Sequence, residues 1–200
     1  MNEPIDEQRN PWTRRTRRVA YENPWIRVEH DEVITPGGSD GIYGVVRFGN
    51  VAVGVVTLDG AGHTTLVGQW RYALGHYSWE VPEGGAPHGK DTLAAAQREL
   101  LEETGLTAAR WTVICPRLHL SNSVTDERGI VYLAEELSHG EADPEDTEEL
   151  ALRRVPLAEA VAMALDGRIT DGLAVVGLLA ADHHLRNRPK PQPQPRPLQP

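Results

Sequence analysis

Residues 18–69 alternate apolar and polar side chains in short runs separated by turn residues. The runs cover residues 26–29, 42–48, 51–58 and 64–70. An apolar residue at every second position is typical of a strand that buries one face. The glycine and asparagine residues between the runs accept the positive φ that tight connections need. The sequence therefore predicts that the chain begins with several short antiparallel strands.

A different spacing marks helices farther along the chain. Residues 91–104 are predicted to form a helix, because Asp91 is a suitable N-cap and Gly105 follows the last turn. Apolar residues at helical spacing predict a second long helix over residues 170–187, and a shorter helix is expected at residues 157–165. The chain is thus expected to combine strands with helices.

Strands and helices in this order predict an α+β fold, arranged as a three-layer α/β/α sandwich. Further strands are expected at residues 130–133 and 150–155, so the elements do not follow a regular βαβ repeat. A chain of 200 residues can enclose one core, and we assign this single domain to residues 18–187. Residues 1–17 are interpreted as a flexible leader. Residues 188–200, which are rich in proline, are interpreted as a disordered tail.

The two ends of the chain leave alternatives open. Arg14, Arg15, Arg17 and Arg18 could form a patch that binds anions, but a solvated leader explains the same residues, and no function is assigned to them. The proline-rich tail could bind a partner as a PxxP ligand, which would make the protein an interaction module. A disordered tail is the simpler interpretation, and its deletion is then expected to leave enzyme activity unchanged.

Charge and cysteine content exclude several classes of protein. The formal net charge of −9 argues against sequence-independent binding to nucleic acid, which depends on many lysine and arginine contacts to phosphate. The single cysteine, Cys115, cannot form an internal disulfide or a cysteine zinc cluster, and such a chain suits the reducing cytoplasm. No apolar run approaches the roughly 18 residues of a membrane span. We therefore expect a cytoplasmic protein with neither a membrane nor a nucleic-acid partner.

The predicted helix over residues 91–104 carries three glutamates on one face. Glu99, Glu102 and Glu103 stand at positions i, i+3 and i+4, so their carboxylates project to the same side and converge. Like charges at this spacing destabilise a helix unless a cation offsets them. Carboxylate oxygens suit magnesium or manganese, so a hard divalent ion is the natural candidate. The alternative is an ordinary surface helix in which Arg98 pairs with Glu102.

A glycine-rich turn precedes this helix and a glycine closes it, and together they resemble the Nudix hydrolase box. The box pattern is Gly, five residues, Glu, seven residues, and then Arg-Glu-aliphatic-x-Glu-Glu-x-Gly-aliphatic. The positions that match in register are Gly84, Arg98, Glu99, Leu100, Glu102, Glu103, Gly105 and Leu106. One position departs, because Lys90 stands where the family has a glutamate that supports the loop and the arginine. Arg98 thereby loses an expected partner, for which Asp91 is the available substitute.

The resemblance extends from Val19 to Ala180 and looks closest to the branch that hydrolyses ADP-ribose and nucleoside diphosphate sugars. It implies a Nudix-like fold with a mixed central sheet, N-terminal antiparallel strands and the box helix. It also implies that Arg71 reaches substrate phosphate; the alternative is a surface arginine without this role. The main-chain carbonyl of Glu83 is implied to bind the metal. Glu80 is assigned to substrate binding. Three alternatives stay open for it: a metal ligand, a residue that supports the ligands, or an exposed side chain without a role.

The resemblance assigns two further residues. Glu127 falls in residues 120–128, which match the mobile loop from which this branch often supplies another catalytic carboxylate. Trp25 precedes the first long strand, in a region that can stack on the nucleobase, sometimes across a dimer interface; core or interface packing is its alternative. A homodimer is therefore expected.

Metal-dependent hydrolysis of a pyrophosphate bond is the activity that the resemblance implies. The three box glutamates and the Glu83 carbonyl would hold Mg2+, with Mn2+ as a substitute. Glu103 or Glu127 would take the proton from the attacking water, and Arg98 completes the predicted catalytic set.

ADP-ribose is the first candidate substrate, and it would give AMP and ribose 5-phosphate. Members specific for ADP-ribose typically have proline where this chain has Asn122, so GDP-mannose or another nucleotide sugar is the near alternative. Hydrolysis of nucleoside triphosphates or dinucleoside polyphosphates is a second alternative. A non-catalytic domain that binds a nucleotide sugar is a third.

Overall fold

The computed structural model describes residues 9–140 and 149–188. Within them the chain forms ten strands and three helices. The strands are β1 (Thr13–Glu22), β2 (Ile26–Ile34), β3 (Asp40–Phe48), β4 (Asn50–Leu58), β5 (His63–Arg71), β6 (His76–Glu80), β7 (Glu83–Pro87), β8 (Leu106–His119), β9 (Arg128–His139) and β10 (Ala151–Pro156). The helices are α1 (Thr92–Thr104), α2 (Leu157–Leu165) and α3 (Gly172–Arg186).

A four-stranded mixed sheet forms the centre of the molecule, in the order β7-β4-β9-β8. Strands β4 and β9 run parallel, and the other neighbours run antiparallel. Helix α1 covers one face, where Val53 and Val55 of β4 belong to its core. Helix α3 covers the other face, where Val56 of β4 and Val131 of β9 are buried, and α2 packs against α3 in the same core. The predicted α/β/α sandwich is therefore confirmed.

Two three-stranded antiparallel sheets complete the described part of the fold. The N-terminal sheet contains β1, β2 and β3 in sequence order, and the other sheet has the order β10-β5-β6. Strand β3 is separated from the central strand β4 by Gly49 alone. The short antiparallel strands predicted for the start of the chain are confirmed.

Local signals determine where α1 begins and ends. Asp91 caps its N-terminus by accepting a hydrogen bond from the N–H of Leu93 (2.9 Å), and Gly105 follows it with a φ of 66°, which glycine adopts without strain. Ala96 and Leu100 are fully buried against the central sheet. This burial fixes the rotation of α1, so that an adjoining face of the helix, with its glutamates, contacts β7.

Strand β1 includes residues 13–17, so for these residues the interpretation as a flexible leader is wrong. The strand pairs antiparallel with β2, whereas residues 1–8 lie outside the described residues. Every residue of β1 is exposed, so the strand has no face that must be apolar. Residues 13–17 accordingly lack the apolar alternation from which a strand is predicted. The strand is held by main-chain pairing and by polar side chains.

Arg17 is the central residue of these polar contacts. Its Nε and Nη2 each donate to Asp31 at 2.7 Å, and its Nη1 lies 2.9 Å from Glu29. Arg47 of β3 donates to the same Glu29 at 3.0 Å. Because Asp31 and Glu29 are only 5% and 6% exposed, they depend on these arginines for compensation of charge. The network connects all three strands of the N-terminal sheet.

Strand β8 has no counterpart among the strands that the sequence predicts. It is an edge strand of the central sheet, and its pairing with β9 is interrupted by register shifts between Val113 and Cys115 and between Cys115 and Leu118. Such irregularities break the period of two on which prediction of a strand depends.

The C-terminal boundary needs a smaller correction. Arg188, assigned to the disordered tail, donates to both carboxyl oxygens of Glu135 at 2.9 and 2.7 Å and so belongs to the folded part. Residues 189–200, the rest of the predicted tail, lie outside the described residues. None of the helices in the described residues has the length and apolarity to cross a membrane.

Replacement of Arg17 by methionine is expected to destabilise the protein, because two buried carboxylates lose charged hydrogen-bond donors. The free energy of unfolding at neutral pH should fall by roughly 1–3 kcal/mol. The hydrogen bond from Arg17 lowers the pKa of Asp31. Its stabilising effect is therefore present above the ordinary pKa of an aspartate and is lost as the pH falls through the lowered value.

Urea unfolding of the wild type and Arg17→Met, followed by circular dichroism at neutral and acidic pH, measures this effect. The difference between the two proteins should shrink in acid. Arg18→Met, in the same strand, is the matched control. An equal loss of stability in both variants would contradict the role given to Arg17.

Candidate active site

Helix α1 approaches β7 closely at Gly84. A Cβ atom on residue 84 would lie 2.0 Å from the carboxyl group of Glu99, so a larger residue leaves no room for this side chain. On either side, main-chain N–H groups hold two glutamates: Gly85 donates to Glu99 Oε1 (3.2 Å) and Glu83 donates to Glu103 Oε2 (3.1 Å). Two of the three glutamates predicted to bind metal are thus fixed against β7, one helical turn apart.

Arg98 holds Glu102, the third of these glutamates. Its Nη1 donates to Glu102 Oε2 (2.6 Å), and its Nη2 donates to Glu99 Oε1 (2.5 Å) and to the carbonyl of Gly85 (3.4 Å). The Arg98–Glu102 pair expected of an ordinary surface helix is therefore present. A surface helix does not explain the other two glutamates, because the side chain of Glu99 is 13% exposed and Glu103 is 4% exposed.

The departure from the box pattern at Lys90 leaves Arg98 with these partners alone among the described residues. Lys90 is exposed, and its N–H closes a turn on the carbonyl of Pro87 (3.0 Å). Asp91, the expected substitute, accepts the hydrogen bond from Leu93 at the start of α1 and is not a partner of Arg98. Arg98 consequently turns both of its Nη groups towards box glutamates.

Arg71, at the end of β5, is the second arginine of the site. It makes a two-point hydrogen bond with Glu80 of β6 and donates to Glu83 Oε1 (2.5 Å). Burial acts to lower the pKa of Arg71, but the hydrogen bond with Glu80 and the charges of Glu83, Glu80 and Asp171 outweigh it, so the pKa is raised. Glu80 is 2% exposed, which rules out the alternative of a solvent-exposed glutamate.

Glu83 has one carboxyl oxygen without a partner. Its Oε1 accepts from Arg71, whereas its Oε2 is buried and has no hydrogen-bond partner among the described residues. Burial raises the pKa of Glu83 well above its ordinary value, and the charges of Asp171 and Glu80 raise it further against the opposing charge of Arg71. A buried acceptor without a donor is costly, so a cation or a proton at this oxygen would stabilise the site.

A cavity of about 230 Å³ opens beside these residues. Its walls are formed by Ala52, Arg71, Glu83, Gly84, Leu120, Glu127, Asp171 and Leu173. Glu127, the carboxylate predicted from the loop after β8, is half-buried in this wall. Burial, followed by the charge of Asp171, raises the pKa of Glu127. The structure therefore brings Glu127 into the same cavity as Arg71 and Glu83.

Asp171 is a residue of this cavity that the sequence does not predict for the site. It caps α3 by accepting from the N–H of Ala174 (2.7 Å), and its charge influences the pKa of Arg71, Glu83 and Glu127. The sequence carries a signal for the cap, since an aspartate precedes apolar residues at helical spacing. That signal marks the start of a helix but not the cavity that the cap faces.

Trp25 lies outside this cavity. It is 69% exposed, which excludes core packing, and it lines a separate cavity of about 240 Å³ with Arg47 and Phe48. A single chain therefore does not bring Trp25 to Arg71, and its role as a platform for the base stays a prediction.

A larger cavity of about 870 Å³ lies between β8 and α3. Apolar residues of both elements and basic side chains such as Arg110 and Arg188 line it, and none of its described lining residues is a carboxylate. The candidate active site is therefore the smaller cavity, whose walls carry both carboxyl groups and an arginine.

Carboxyl groups outnumber cations in the site. The seven carboxyl groups belong to Glu80, Glu83, Glu99, Glu102, Glu103, Glu127 and Asp171. Two arginines, Arg71 and Arg98, face them. Within residues 9–140 and 149–188, no three Asp, Glu, His or Cys side chains form a ready-made metal cage.

The expected convergence of three box glutamates is therefore not seen, because Arg98 binds Glu99 and Glu102. The donor set still fits a hard divalent cation. Its side-chain donors are carboxylate oxygens, one oxygen of Glu83 is buried without a partner among the described residues, and the negative charge exceeds the positive charge.

Two protein-family models match the chain. The NUDIX domain matches residues 49–173, and the nucleoside diphosphate sugar hydrolase N-terminal domain matches residues 12–46. The second match coincides with the N-terminal sheet, including β1.

Proteins of known function and a solved structure are also similar. An ADP-ribose pyrophosphatase of Mycobacterium tuberculosis is 35% identical over 158 residues, which cover 76% of this chain and 74% of that protein. A CMP-5′-(N-acetyl-N-hydroxy-3-aminopropyl)phosphonate hydrolase of Streptomyces rubellomurinus is 27% identical over 169 residues, 84% of this chain and 81% of that protein. The crystal structure of an ADP compounds hydrolase has a TM-score of 0.79 at 20% identity, over 90% of this chain and 97% of that chain, and thus shares the fold. The chain therefore belongs to the Nudix hydrolase family and is a pyrophosphohydrolase of its ADP-ribose and nucleoside diphosphate sugar branch.

Proposed function

We propose that this protein hydrolyses the pyrophosphate bond of a nucleoside diphosphate sugar, with ADP-ribose as substrate and a divalent metal ion as cofactor. The oxygen of a water molecule forms a bond to one phosphorus atom, and the bridging P–O bond breaks. ADP-ribose then gives AMP and ribose 5-phosphate. The observation that carries the proposal is the site beside the Nudix box in which seven carboxyl groups face two arginines.

The excess of negative charge is the argument for a metal. A diphosphate is itself anionic, so it would be repelled by these carboxylates unless cations offset the charge. We assign the metal to Glu99, Glu102, Glu103 and the main-chain carbonyl of Glu83, with Mg2+ as the ion and Mn2+ as its substitute. Such an ion would neutralise the diphosphate and acidify the attacking water. Nudix hydrolases generally depend on divalent metals, which agrees with this assignment.

Arg71 is assigned to the substrate phosphates. Its guanidinium group reaches the cavity wall, and the hydrogen bonds to Glu80 and Glu83 fix its plane. A planar group held in this way can present its remaining N–H donors to phosphate oxygens. Glu80 is therefore assigned an indirect part in substrate binding, through Arg71.

Glu127 is the candidate general base. Its side chain accepts no hydrogen bond from the described residues, and burial raises its pKa, so it holds a proton more strongly than an ordinary glutamate does. Glu103 is the alternative base. Its carboxylate is held by the N–H of Glu83, which suits a fixed metal ligand better than a group that must receive a proton.

The second candidate function is hydrolysis of a different substrate, in which another group takes the place of the ribose phosphate. The Streptomyces relative acts, by its name, on a CMP-linked phosphonate, and Asn122 lies in the segment that carries Glu127. GDP-mannose or a CMP-linked phosphonate is the alternative substrate, and the same bridging P–O bond between two phosphorus atoms would be broken. The homodimer and the cytoplasmic location stay predictions.

Purified protein should release nucleoside monophosphate from one nucleoside diphosphate compound in the presence of Mg2+. The assay is a panel of ADP-ribose, GDP-mannose, UDP-glucose, a CMP-linked phosphonate and nucleoside triphosphates, with products separated by ion-exchange chromatography. ADP-ribose is expected to be cleaved fastest, and EDTA should abolish the release until Mg2+ or Mn2+ is restored. If no compound of the panel is cleaved with either metal, the proposal is contradicted, and a domain that only binds nucleotide sugars is favoured.

Two substitutions test whether the activity belongs to this site. Glu103→Gln should lower the rate by about a hundredfold or more, because the carboxylate that holds the metal or the proton is lost. Glu159→Gln, on the exposed side of α2 and paired with Arg153, should leave the rate unchanged. Equal rates for the two variants would point to a contaminating hydrolase.

Gly84→Ala should reduce turnover by about tenfold or more, since a Cβ atom there would displace the carboxyl group of Glu99 and misplaced groups are costly to catalysis. Gly44→Ala is the matched control, because a Cβ on this exposed residue of β3 meets no atom within 4 Å. Steady-state rates on the substrate found in the panel provide the measurement. Normal turnover by Gly84→Ala would show that the position of Glu99 is not critical.

A further inference from the structure

The segment that carries Glu127 is hydrogen-bonded to the N-terminal sheet. Val46 of β3 donates its N–H to the carbonyl of Val124 (2.8 Å) and accepts at its own carbonyl from the N–H of Asp126 (3.2 Å). The hydroxyl of Tyr43, also in β3, donates to the carbonyl of Ser123 (2.5 Å). Residues 123–126 thus bind the edge strand of the N-terminal sheet, about 80 residues earlier in the chain.

Asp126 adds two side-chain bonds to this contact. Its Oδ1 accepts from the N–H of Phe48 (3.0 Å), and its Oδ2 accepts from Nη1 of Arg47 (3.2 Å). Arg47 is held in turn by Glu29 of β2, which is 6% exposed. Asp126 is therefore fixed to β3 at its main chain and at both carboxyl oxygens.

Glu127, the next residue, has few restraints of its own. Its N–H donates to Thr125 Oγ1 (3.3 Å) within the same turn, and its side chain accepts no hydrogen bond from the described residues. The N-terminal sheet supplies none of the residues that line the cavity of Arg71. The sheet nevertheless holds the residue immediately before the catalytic carboxylate.

We propose that Asp126 is a positioning residue, whose bonds to Phe48 and Arg47 hold Glu127 at the active-site cavity and so make the N-terminal sheet a determinant of turnover. The inference rests on the proposed function of Glu127. Displacement of a catalytic group by about 1 Å can cost on the order of a hundredfold in rate. Loss of the Asp126 carboxylate should therefore act on kcat.

A role in stability alone is the alternative, since the same bonds join two parts of the fold. It predicts a lower unfolding temperature with normal kcat for the molecules that remain folded. The positioning role predicts a loss of kcat at temperatures where the variant is fully folded, with KM for substrate changed little. The two readings are therefore separated by kinetics and not by stability.

The test compares Asp126→Ala and Asp126→Asn with Asp40→Asn, each in the full chain. Asp40 is an exposed aspartate of the same sheet, paired with Arg15, and it is the control for loss of a carboxylate. With ADP-ribose or the panel substrate cleaved fastest, Asp126→Ala should lower kcat by about tenfold or more while KM stays within about twofold. Asp126→Asn should fall between this variant and the wild type, because it keeps an acceptor for Phe48 and loses the charge that binds Arg47.

A double-mutant cycle with Glu127→Gln shows whether Asp126 acts through Glu127. If it does, Asp126→Ala should cost little further rate in the Glu127→Gln protein. An equal factor in both backgrounds, or a normal kcat in Asp126→Ala, would overturn the inference while leaving the proposed function intact. A wild-type protein without activity would instead refute the proposed function.

Hydrogen–deuterium exchange tests, without any substrate, whether the side chain of Asp126 holds the segment before Glu127 in place. Peptides covering residues 120–128 should exchange faster in Asp126→Ala than in the wild type and in Asp40→Asn. Unchanged exchange in these peptides would overturn the inference, because the bonds to β3 would then not hold the segment.

Discussion

Two main-chain N–H groups of β7 hold the carboxylates of Glu99 and Glu103, and the rest of the active site is arranged around this contact. The contact requires a residue without a side chain at Gly84, since a Cβ there would occupy the place of the Glu99 carboxyl group. It also requires that α1 be rotated correctly, which the burial of Leu100 ensures. Packing of one helix on the central sheet thus determines where two of the box glutamates lie.

Crowding of negative charge is what makes this site suited to bind a cation. Arg71 and Arg98 pair with neighbouring carboxylates, but one oxygen of Glu83 stays buried with no partner in the part of the chain that the structure describes. Glu127 and Asp171 add carboxyl groups to the same cavity. A protein interior tolerates such an excess only where a cation or bound protons offset it. A divalent ion that also binds the diphosphate would serve stability and catalysis together.

Much of this site is predictable from the sequence because it is local. The register of Gly84, Arg98 and the box glutamates, the cap at Asp91 and the glycine after α1 all lie within one continuous segment. Long-range contacts escape such prediction. The pairing of Arg17 with Asp31, which makes β1 a strand, and the bonds between Asp126 and β3 join residues far apart in the chain.

The same limit explains what the sequence misses elsewhere. Asp171 is recognisable as a helix cap, but only the packing of α3 shows that it faces Glu127. Strand β8 loses its alternation at two register shifts. The family resemblance implies that Arg71 reaches substrate phosphate, and the structure adds that Glu80 and Glu83 hold its guanidinium group.

The most direct test of the account is a titration of the protein with Mn2+, in which the signal of the free ion is followed by electron paramagnetic resonance. The wild type should bind Mn2+ without substrate, and a Glu99→Gln, Glu103→Gln double variant should bind it at least about tenfold more weakly. Equal binding by the two proteins, or none by the wild type, would contradict the claim that the carboxylates held by β7 form a metal site.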